Sequence, residues 1–411
     1  MSSSSRNIDM RGMYRSLAWM APALMVAGAC HGQQITFTPR AQATAEYDSN
    51  PLLESRNPRS GEWYQALVGG TLDRQTLRSE LELVPVFSYS KSSIRILDQW
   101  SALVDLRGRY MTQRTIYSFL LEYHRQDAYN SEYGVATYNP QNPEAPGTVG
   151  TGFIVTGIKR DNYQISPSIN HTFTERLNGE IGGTFLAVRY STQVPEQLVS
   201  FNAPSAAINA VWAFSERARI AVGPFYSEFD PLDSLQEGAL KSRSYGGSIG
   251  YRYLTTRLTD SEVIAKFGRD EQYQLDGSRA GTTTWGLEWR GTYKWQTGQL
   301  QFTVGRLLEP SSVGGEIALY EARGEFAQTI SQTLSAQISA RASRQEGVGA
   351  QSNLPHRNRG YGTAALRKQL TREFVLTAGY KFLFQKLRPD APLAQNHGAF
   401  ITIGWQPIES R

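Results

Sequence analysis

The sequence predicts an all-β fold, a single antiparallel up-and-down β-barrel of about eighteen strands (16–18). Three observations predict it. Apolar and polar side chains alternate along most of the chain with a period of two, which only an extended strand has. The connections between alternating segments form a short class and a long class that take turns. Aromatic residues gather near segment ends on the apolar parity. The stretch 282–307 shows the pattern most plainly: Trp285, Leu287, Trp289, Gly291, Tyr293 and Trp295 share one parity, and Thr284, Gly286, Glu288, Arg290, Thr292 and Lys294 the other. Gln296-Thr297-Gly298 then reverses the chain tightly, and Leu300, Phe302 and Val304 alternate with Gln299, Gln301 and Thr303, the pattern of a β-hairpin.

From the N-terminus, the first element is not a strand. The apolar run at 17–29 follows Arg6, Arg11 and Arg15 and ends in small residues. It is too short to span a bilayer as a helix, and its layout is that of a secretory signal peptide at 1–29, leaving 30–411 as one barrel domain. Ala27-Gly28-Ala29 suits ordinary cleavage before Cys30, and the same string also reads as an imperfect lipobox, so lipidation of Cys30 stays open. Cys30 is the one cysteine, which excludes an intrachain disulfide and a thiolate metal cluster. With 40% hydrophobic residues and a mean hydropathy of -0.42, the 411-residue chain is no polytopic helical membrane protein. The formal charge of +5 falls further once the leader is set aside, too mild to argue for nucleic acid.

After the leader, Ile35, Phe37, Ala41, Ala43, Ala45 and Tyr47 open the first alternating segment. Strands are expected at 35–48, 62–73, 78–90, 100–110, 115–125, 161–173, 179–191, 204–214, 218–229, 242–254, 261–271, 282–295, 299–308, 316–327, 332–344, 358–369, 373–386 and 397–406. No stretch has the period of an ordinary amphipathic helix, and no composition shift marks a second domain. Short connections fall at 73–76, 111–114, 174–178, 215–217, 255–258, 296–298, 328–331 and 370–372. Long ones fall at 51–61, 127–160, 193–201, 231–240, 273–280, 310–315, 346–357 and 387–396. Phe173-Thr174-Glu175-Arg176-Leu177, Phe214-Ser215-Glu216-Arg217-Ala218 and Leu370-Thr371-Arg372-Glu373-Phe374 are alike as turns, which supports one continuous meander.

A soluble sandwich or propeller would show a similar alternation. Export, the two loop classes and the aromatic positions favour a transmembrane barrel with short periplasmic turns and long extracellular loops. Tyr47, Tyr64, Tyr89, Tyr110, Tyr123, Trp212, Tyr226, Tyr253, Trp295, Tyr380 and Trp405 would form girdles at the headgroup levels. The last strand offers Ala399, Ile401, Ile403 and Trp405 to the lipid and to the β-barrel assembly machinery, although residues 406–411 follow where a terminal aromatic is usual.

With the apolar parity toward lipid, the other parity faces a lumen. The lumen candidates are Glu80, Glu82, Arg107, Arg109, Glu288, Arg290, Arg323, Arg341, Arg359, Arg367 and Lys381. Charges at membrane depth must line water or pair with one another. Two readings stay open: acidic early strands facing basic late strands to give a transverse field, or mutual neutralisation that fills the bore. The longest connection, 127–160, carries Tyr129, Tyr133, Tyr138 and Asn139 and would be either a constriction folded inward or a surface loop.

Enzyme-like strings lack their structural context. Gly246-Gly247-Ser248-Ile249-Gly250 matches a nucleophile elbow, but Ser248 falls mid-strand rather than in a strand-to-helix turn. Ser88-Tyr89-Ser90-Lys91 would put Ser88 and Lys91 on opposite faces. The histidines show no ligand spacing, so no catalytic, cofactor or metal residues are expected.

The first strand and its exit, Ala45-Glu46-Tyr47-Asp48-Ser49-Asn50-Pro51-Leu52-Leu53, with Arg160-Asp161-Asn162-Tyr163 leading a later strand, resemble the second type of outer-membrane β-barrel porin often associated with exopolysaccharide export systems of Gram-negative bacteria. The resemblance implies an outer-membrane channel that assists passage of polysaccharide or other polar solutes and does no covalent chemistry. It also implies outer-membrane lipid and periplasmic export components as partners. Two alternatives from other classes stand beside it: a non-conducting barrel that anchors surface polymer or a protein, and a barrel hydrolase.

Overall fold

The structure is a computed structural model that describes residues 34–129, 156–192, 198–232, 241–256, 258–273, 278–312, 315–348, 356–388 and 390–407. The expected leader 1–29, Cys30 and most of the 127–160 connection lie outside the described residues. The chain forms one closed antiparallel sheet of 18 strands: β1 (Gln34–Asp48), β2 (Gly61–Gln75), β3 (Ser79–Ser92), β4 (Gln99–Met111), β5 (Thr115–Asp127), β6 (Lys159–Thr172), β7 (Leu177–Tyr190), β8 (Phe201–Ala213), β9 (Ala218–Pro231), β10 (Lys241–Thr256), β11 (Thr259–Tyr273), β12 (Arg279–Trp295), β13 (Gly298–Ser311), β14 (Gly315–Thr329), β15 (Leu334–Gly347), β16 (Arg357–Gln369), β17 (Phe374–Lys386) and β18 (Ala394–Trp405). Each strand pairs with the next, and β1 pairs with both β2 and β18. This is the up-and-down barrel the alternation predicts, with strand ends displaced by a few residues. The β3–β4 connection, absent from the expected long class, belongs to it and carries a 3-10 turn at Arg95–Leu97.

The recurring turn sequence has a physical cause. In the turns at 173–177, 214–218, 330–334 and 370–374, the first two backbone N–H groups donate to the carbonyl of the last residue. The hydroxyl at the second position accepts from the chain ahead: Thr174 Oγ1 from the N–H of Arg176 and Leu177, Ser215 Oγ from Arg217 and Ala218, and Thr371 Oγ1 from Glu373 and Phe374. A Ser or Thr there satisfies donors that a tight reversal leaves open.

The apolar parity is the outside. Phe37, Tyr64, Phe267, Trp285, Leu287, Trp289, Ile338, Leu366 and Ile401 are exposed, Phe267 at 62%. At some glycines in this row an aromatic ring from a neighbouring strand fills the gap: a Cβ on Gly291 would lie 2.3 Å from Phe302 Cζ, and one on Gly108 2.1 Å from Phe119 Cε1. An apolar surface that encircles the whole sheet is far larger than the patches that soluble monomers tolerate. A tilted strand needs about 9–11 residues to cross hydrocarbon, and these run from 12 residues in β18 to 17 in β12, so their ends project beyond that layer.

Charges on the outer face are confined to the ends. At the long-loop end the outward parity carries Lys91, Arg125, Lys159, Arg189, Lys241, Arg243, Arg269, Arg279, Arg306, Arg344 and Lys386, with Glu62, Asp127, Asp161, Glu228, Asp230, Glu271 and Glu346. At the short-turn end it carries Arg74 and Lys368.

The seam between first and last strands is fixed by side chains as well as backbone. Eight residue pairs join β1 to β18, from Ala41 opposite Trp405 to Asp48 opposite Gly398. On the inner face, Lys381 of β17 reaches over β18 to Glu46 and Asp48 of β1, with Nζ 3.0 Å from Asp48 Oδ1. Asn396 Nδ2 donates to the same Asp48 oxygen at 2.9 Å, and Asn396 Oδ1 accepts from the Asn50 N–H at 2.8 Å. Gly398 lies under this lysine: a Cβ there would meet Asp48 Oδ1 and Lys381 Cε, both at 2.6 Å. Lys381→Met therefore strands two carboxylates against each other, Asp48 at 2% exposure. The expected outcome is a loss of about 3 kcal/mol, read by urea unfolding in lipid, with recovery of part of it on adding Glu46→Gln and Asp48→Asn.

Candidate functional site

Below the long-loop mouth the inner face is polar. Hydroxyls bond across neighbouring strands: Ser88 with Ser101 at 2.7 Å, Ser339 with Thr363 at 2.6 Å, Thr44 with Thr402 at 3.0 Å and Ser166 with Thr184 at 3.1 Å. Each strand presents these side chains because its alternate residues are committed to the greasy exterior.

The charged candidates all lie on the inward parity, and most meet an opposite charge. Arg107 Nη2 is 2.6 Å from Asp105, and its Nη1 is 3.9 Å from Glu82. Arg109 is 4.0 Å from Glu80. Arg290 forks onto Glu288 at 2.7 and 2.8 Å and approaches Glu262 at 4.0 Å. Arg341 puts Nε and Nη2 on one oxygen of Glu321, at 2.9 and 2.5 Å. Lys381 belongs to the seam. Arg359 is half-buried near the long-loop end. Arg323 and Arg367 face the lumen with no carboxylate in ion-pair reach among the described residues. Glu80 and Glu82, which the transverse-field reading set against late-strand arginines, sit beside Arg109 and Arg107.

The two ends of the lumen differ. Toward the short turns, a cavity of about 950 Å3 opens, lined by Thr38, Thr71, Asp73, Ser335, Arg367, Gln369 and Gln406. Toward the long loops, the interior is packed. Leu53, Trp63, Leu97, Tyr129, Leu383 and Ala394 form one buried apolar cluster, and Val188, Phe201, Ala203 and Phe229 another. Tyr129 stacks on Trp63 with ring centroids 6.0 Å apart and donates its hydroxyl to the Pro51 carbonyl at 2.6 Å. The start of the 127–160 connection is thus tucked into the mouth; Tyr133, Tyr138 and Asn139 lie outside the described residues.

The main inward element is one that sequence reading took for an ordinary loop. The β13–β14 hairpin keeps its ladder to the tip, through Ser311 opposite Gly315. It bends across the mouth to β7–β10. Ser312 accepts the Val199 N–H on its carbonyl at 2.8 Å and the Tyr190 hydroxyl on Oγ at 2.7 Å. Glu316 accepts from Ser244 Oγ at 2.6 Å and Ser227 Oγ at 3.3 Å, on strands β10 and β9. Asp270 and Gln272 extend this network, and Gln272 Nε2 also donates to the Val348 carbonyl at 2.9 Å. Two sequence signals mark the bend. Glu316 puts a carboxylate on β14's outward parity, and Ile317, Ala318 and Leu319 are apolar on both parities, all three buried at 2%.

Ser248 lies within β10 and donates to the Gly223 carbonyl at 3.1 Å, which commits its hydroxyl to the wall. Among the described residues, no three His, Cys, Asp or Glu side chains are grouped to hold a metal ion.

The hairpin's seat can be locked covalently. Val199→Cys with Ser312→Cys, in a Cys30→Ser background, joins positions whose backbones are hydrogen-bonded and so within disulfide reach. Oxidation is expected to form the crosslink in the folded barrel, seen as a reductant-reversible shift in gel mobility.

No protein-family model matches the chain, and no curated protein matches it. Its fold is similar to several solved structures. The FrpB iron transporter from Neisseria meningitidis, F5-1 variant in apoprotein form, is 9% identical over 90% of this chain and 68% of that one, with a TM-score of 0.47. Pseudomonas aeruginosa OccK5 (OpdH) is 7% identical over 93% of this chain and 100% of that one, at 0.45. Pseudomonas aeruginosa OprD is 9% identical over 90% and 95%, at 0.42.

Proposed function

We propose that this chain is an outer-membrane channel of a Gram-negative bacterium that passes polar solutes through its lumen. The carrying observation is the division of side chains by parity. A ring of exposed apolar residues surrounds an inner wall of hydroxyls, amides and paired charges, the arrangement an aqueous bore calls for. The short turns face the periplasm, so the 950 Å3 cavity is the periplasmic vestibule. The β13–β14 hairpin and Tyr129 narrow the opposite, extracellular mouth. Arg323 and Arg367 offer donors to anionic or hydroxyl-rich solutes, and polysaccharide is the substrate class the sequence resemblance supports. Insertion requires the β-barrel assembly machinery, and transport of polymer requires periplasmic export components. The wall does no covalent chemistry; Ser248→Ala is expected to leave any hydrolysis by the purified barrel unchanged.

The packed outer mouth favours a second reading, a non-conducting barrel that anchors surface polymer or a protein. Planar-bilayer recording decides between them. The channel reading expects small unitary currents in wild type and a conductance raised roughly twofold or more when residues 311–315 are replaced by a short Gly-Ser turn. Arg323→Glu with Arg367→Glu is expected to shift the reversal potential toward cations. A correctly folded, heat-modifiable barrel that stays silent with and without the hairpin tip would establish the anchoring reading.

A further inference from the structure

On the outward parity of the strands the two ends are charged very unequally, and at the long-loop end several cations lie over aromatic rings. The densest group is on β10–β12. Arg243 and Arg279 both lie over the Tyr273 ring, their guanidinium carbons 5.2 and 4.9 Å from its centroid. Arg243 also donates to the Tyr273 hydroxyl at 2.9 Å. Lys241 and Arg269 stand beside them. Glu228 holds Lys241 at 2.6 Å and Arg243 at 3.1 Å, Asp230 lies 3.2 Å from Lys241, and Glu271 lies 3.5 Å from Arg269. Arg279 has no carboxylate in reach among the described residues. Immediately below, Tyr245, Phe267 and Trp285 are exposed.

We infer that this group is a binding site for a phosphate-bearing lipid of the outer leaflet. The inference rests on the membrane reading above and adds to it which headgroup the long-loop rim recognises. Guanidinium forks match phosphate oxygens, and stacking on Tyr273 fixes the direction of both; Arg279 keeps its fork for a ligand, whereas Arg243 commits Nε to Glu228 and Nη1 to the Tyr273 hydroxyl and offers Nη2. The apolar side chains below take the acyl chains. A free phosphate would use the cations alone; an amphiphile uses both layers, and the exposed aromatic floor selects the lipid. At the short-turn end the outward strand parity carries Arg74 and Lys368, and the turn arginines Arg78, Arg114, Arg176, Arg217 and Arg372 are exposed one to a turn, with no cation-π pair among the described residues.

The test is native mass spectrometry of the full folded barrel in neutral detergent, titrated with diphosphoryl lipid A and with the same lipid stripped of its phosphates. Wild type is expected to hold the phosphorylated lipid at about tenfold lower concentration. Arg243→Gln with Arg269→Gln and Arg279→Gln removes that preference, whereas Arg74→Gln with Lys368→Gln keeps it. Should the triple variant fail to fold, Arg279→Gln alone is expected to lose part of the preference. Equal retention of the two lipids by wild type overturns the site, as does an equal loss in the opposite-rim variant or full competition by equimolar inorganic phosphate. Insertion of wild type into neutral phosphatidylcholine vesicles is scored separately by heat-modifiable mobility. A barrel that does not insert refutes the membrane reading, and one that inserts without preferring phosphate refutes only the headgroup site.

Discussion

The structure depends on closure of one sheet. In hydrocarbon an unpaired backbone amide or carbonyl costs several kcal/mol, so a strand edge cannot be left open at membrane depth. The chain meets this by returning its last strand to its first. The junction between chain ends joins segments far apart in sequence, with eight paired residues between β1 and β18 against the fifteen between β1 and β2. Side chains reinforce it there: Lys381, Glu46, Asp48 and Asn396 knit three strands together over a glycine that leaves them room. The ion pair is buried in the wall, where desolvation offsets much of its attraction, so its value lies in holding register at the one seam that local hairpin formation does not set.

Once the sheet is closed, every residue in it has one of two solvents, and that is why the fold was so legible. Trp285, Leu287 and Trp289 against Glu288 and Arg290 announce two faces without any tertiary information. Each expected strand exists, and the hydroxyl-capped turns at 173–177, 214–218 and 370–374 appear where the repeated string predicts them. The inner wall was legible to the same degree, since Arg107, Glu288 and Lys381 follow from parity alone. Their partners were not. Pairing of Arg341 with Glu321, or of Lys381 with residues more than three hundred positions earlier, depends on neighbours that only the closed sheet brings together.

Direction beyond the membrane was not legible either. A strand that overshoots the hydrocarbon loses the solvent contrast that fixes its faces, and its tip goes wherever contacts take it. For β13–β14 the tip goes inward, and the clue lay in a broken rule: Glu316 on the outward row, followed by Ile317, Ala318 and Leu319 with no polar alternate. A segment buried on both sides reads as unbroken apolar sequence. Trp63 is a second such clue, an aromatic on the inner parity of β2, where it receives Tyr129.

The outer closure is built differently from the wall, and the difference sets what can move. Strands in the wall are held by two ladders each, so displacing one breaks many hydrogen bonds at once. The β13–β14 tip keeps its own ladder through Ser311 and Gly315, while its hold on the opposite side includes the Ser312 and Glu316 contacts and the burial of a few apolar side chains. Each such hydrogen bond contributes about 0.5–1.5 kcal/mol net. Swinging the tip as a unit therefore costs a small part of what opening the wall would cost. The weakest packing of the closed sheet is thus at its mouth, where water can replace every contact the hairpin gives up.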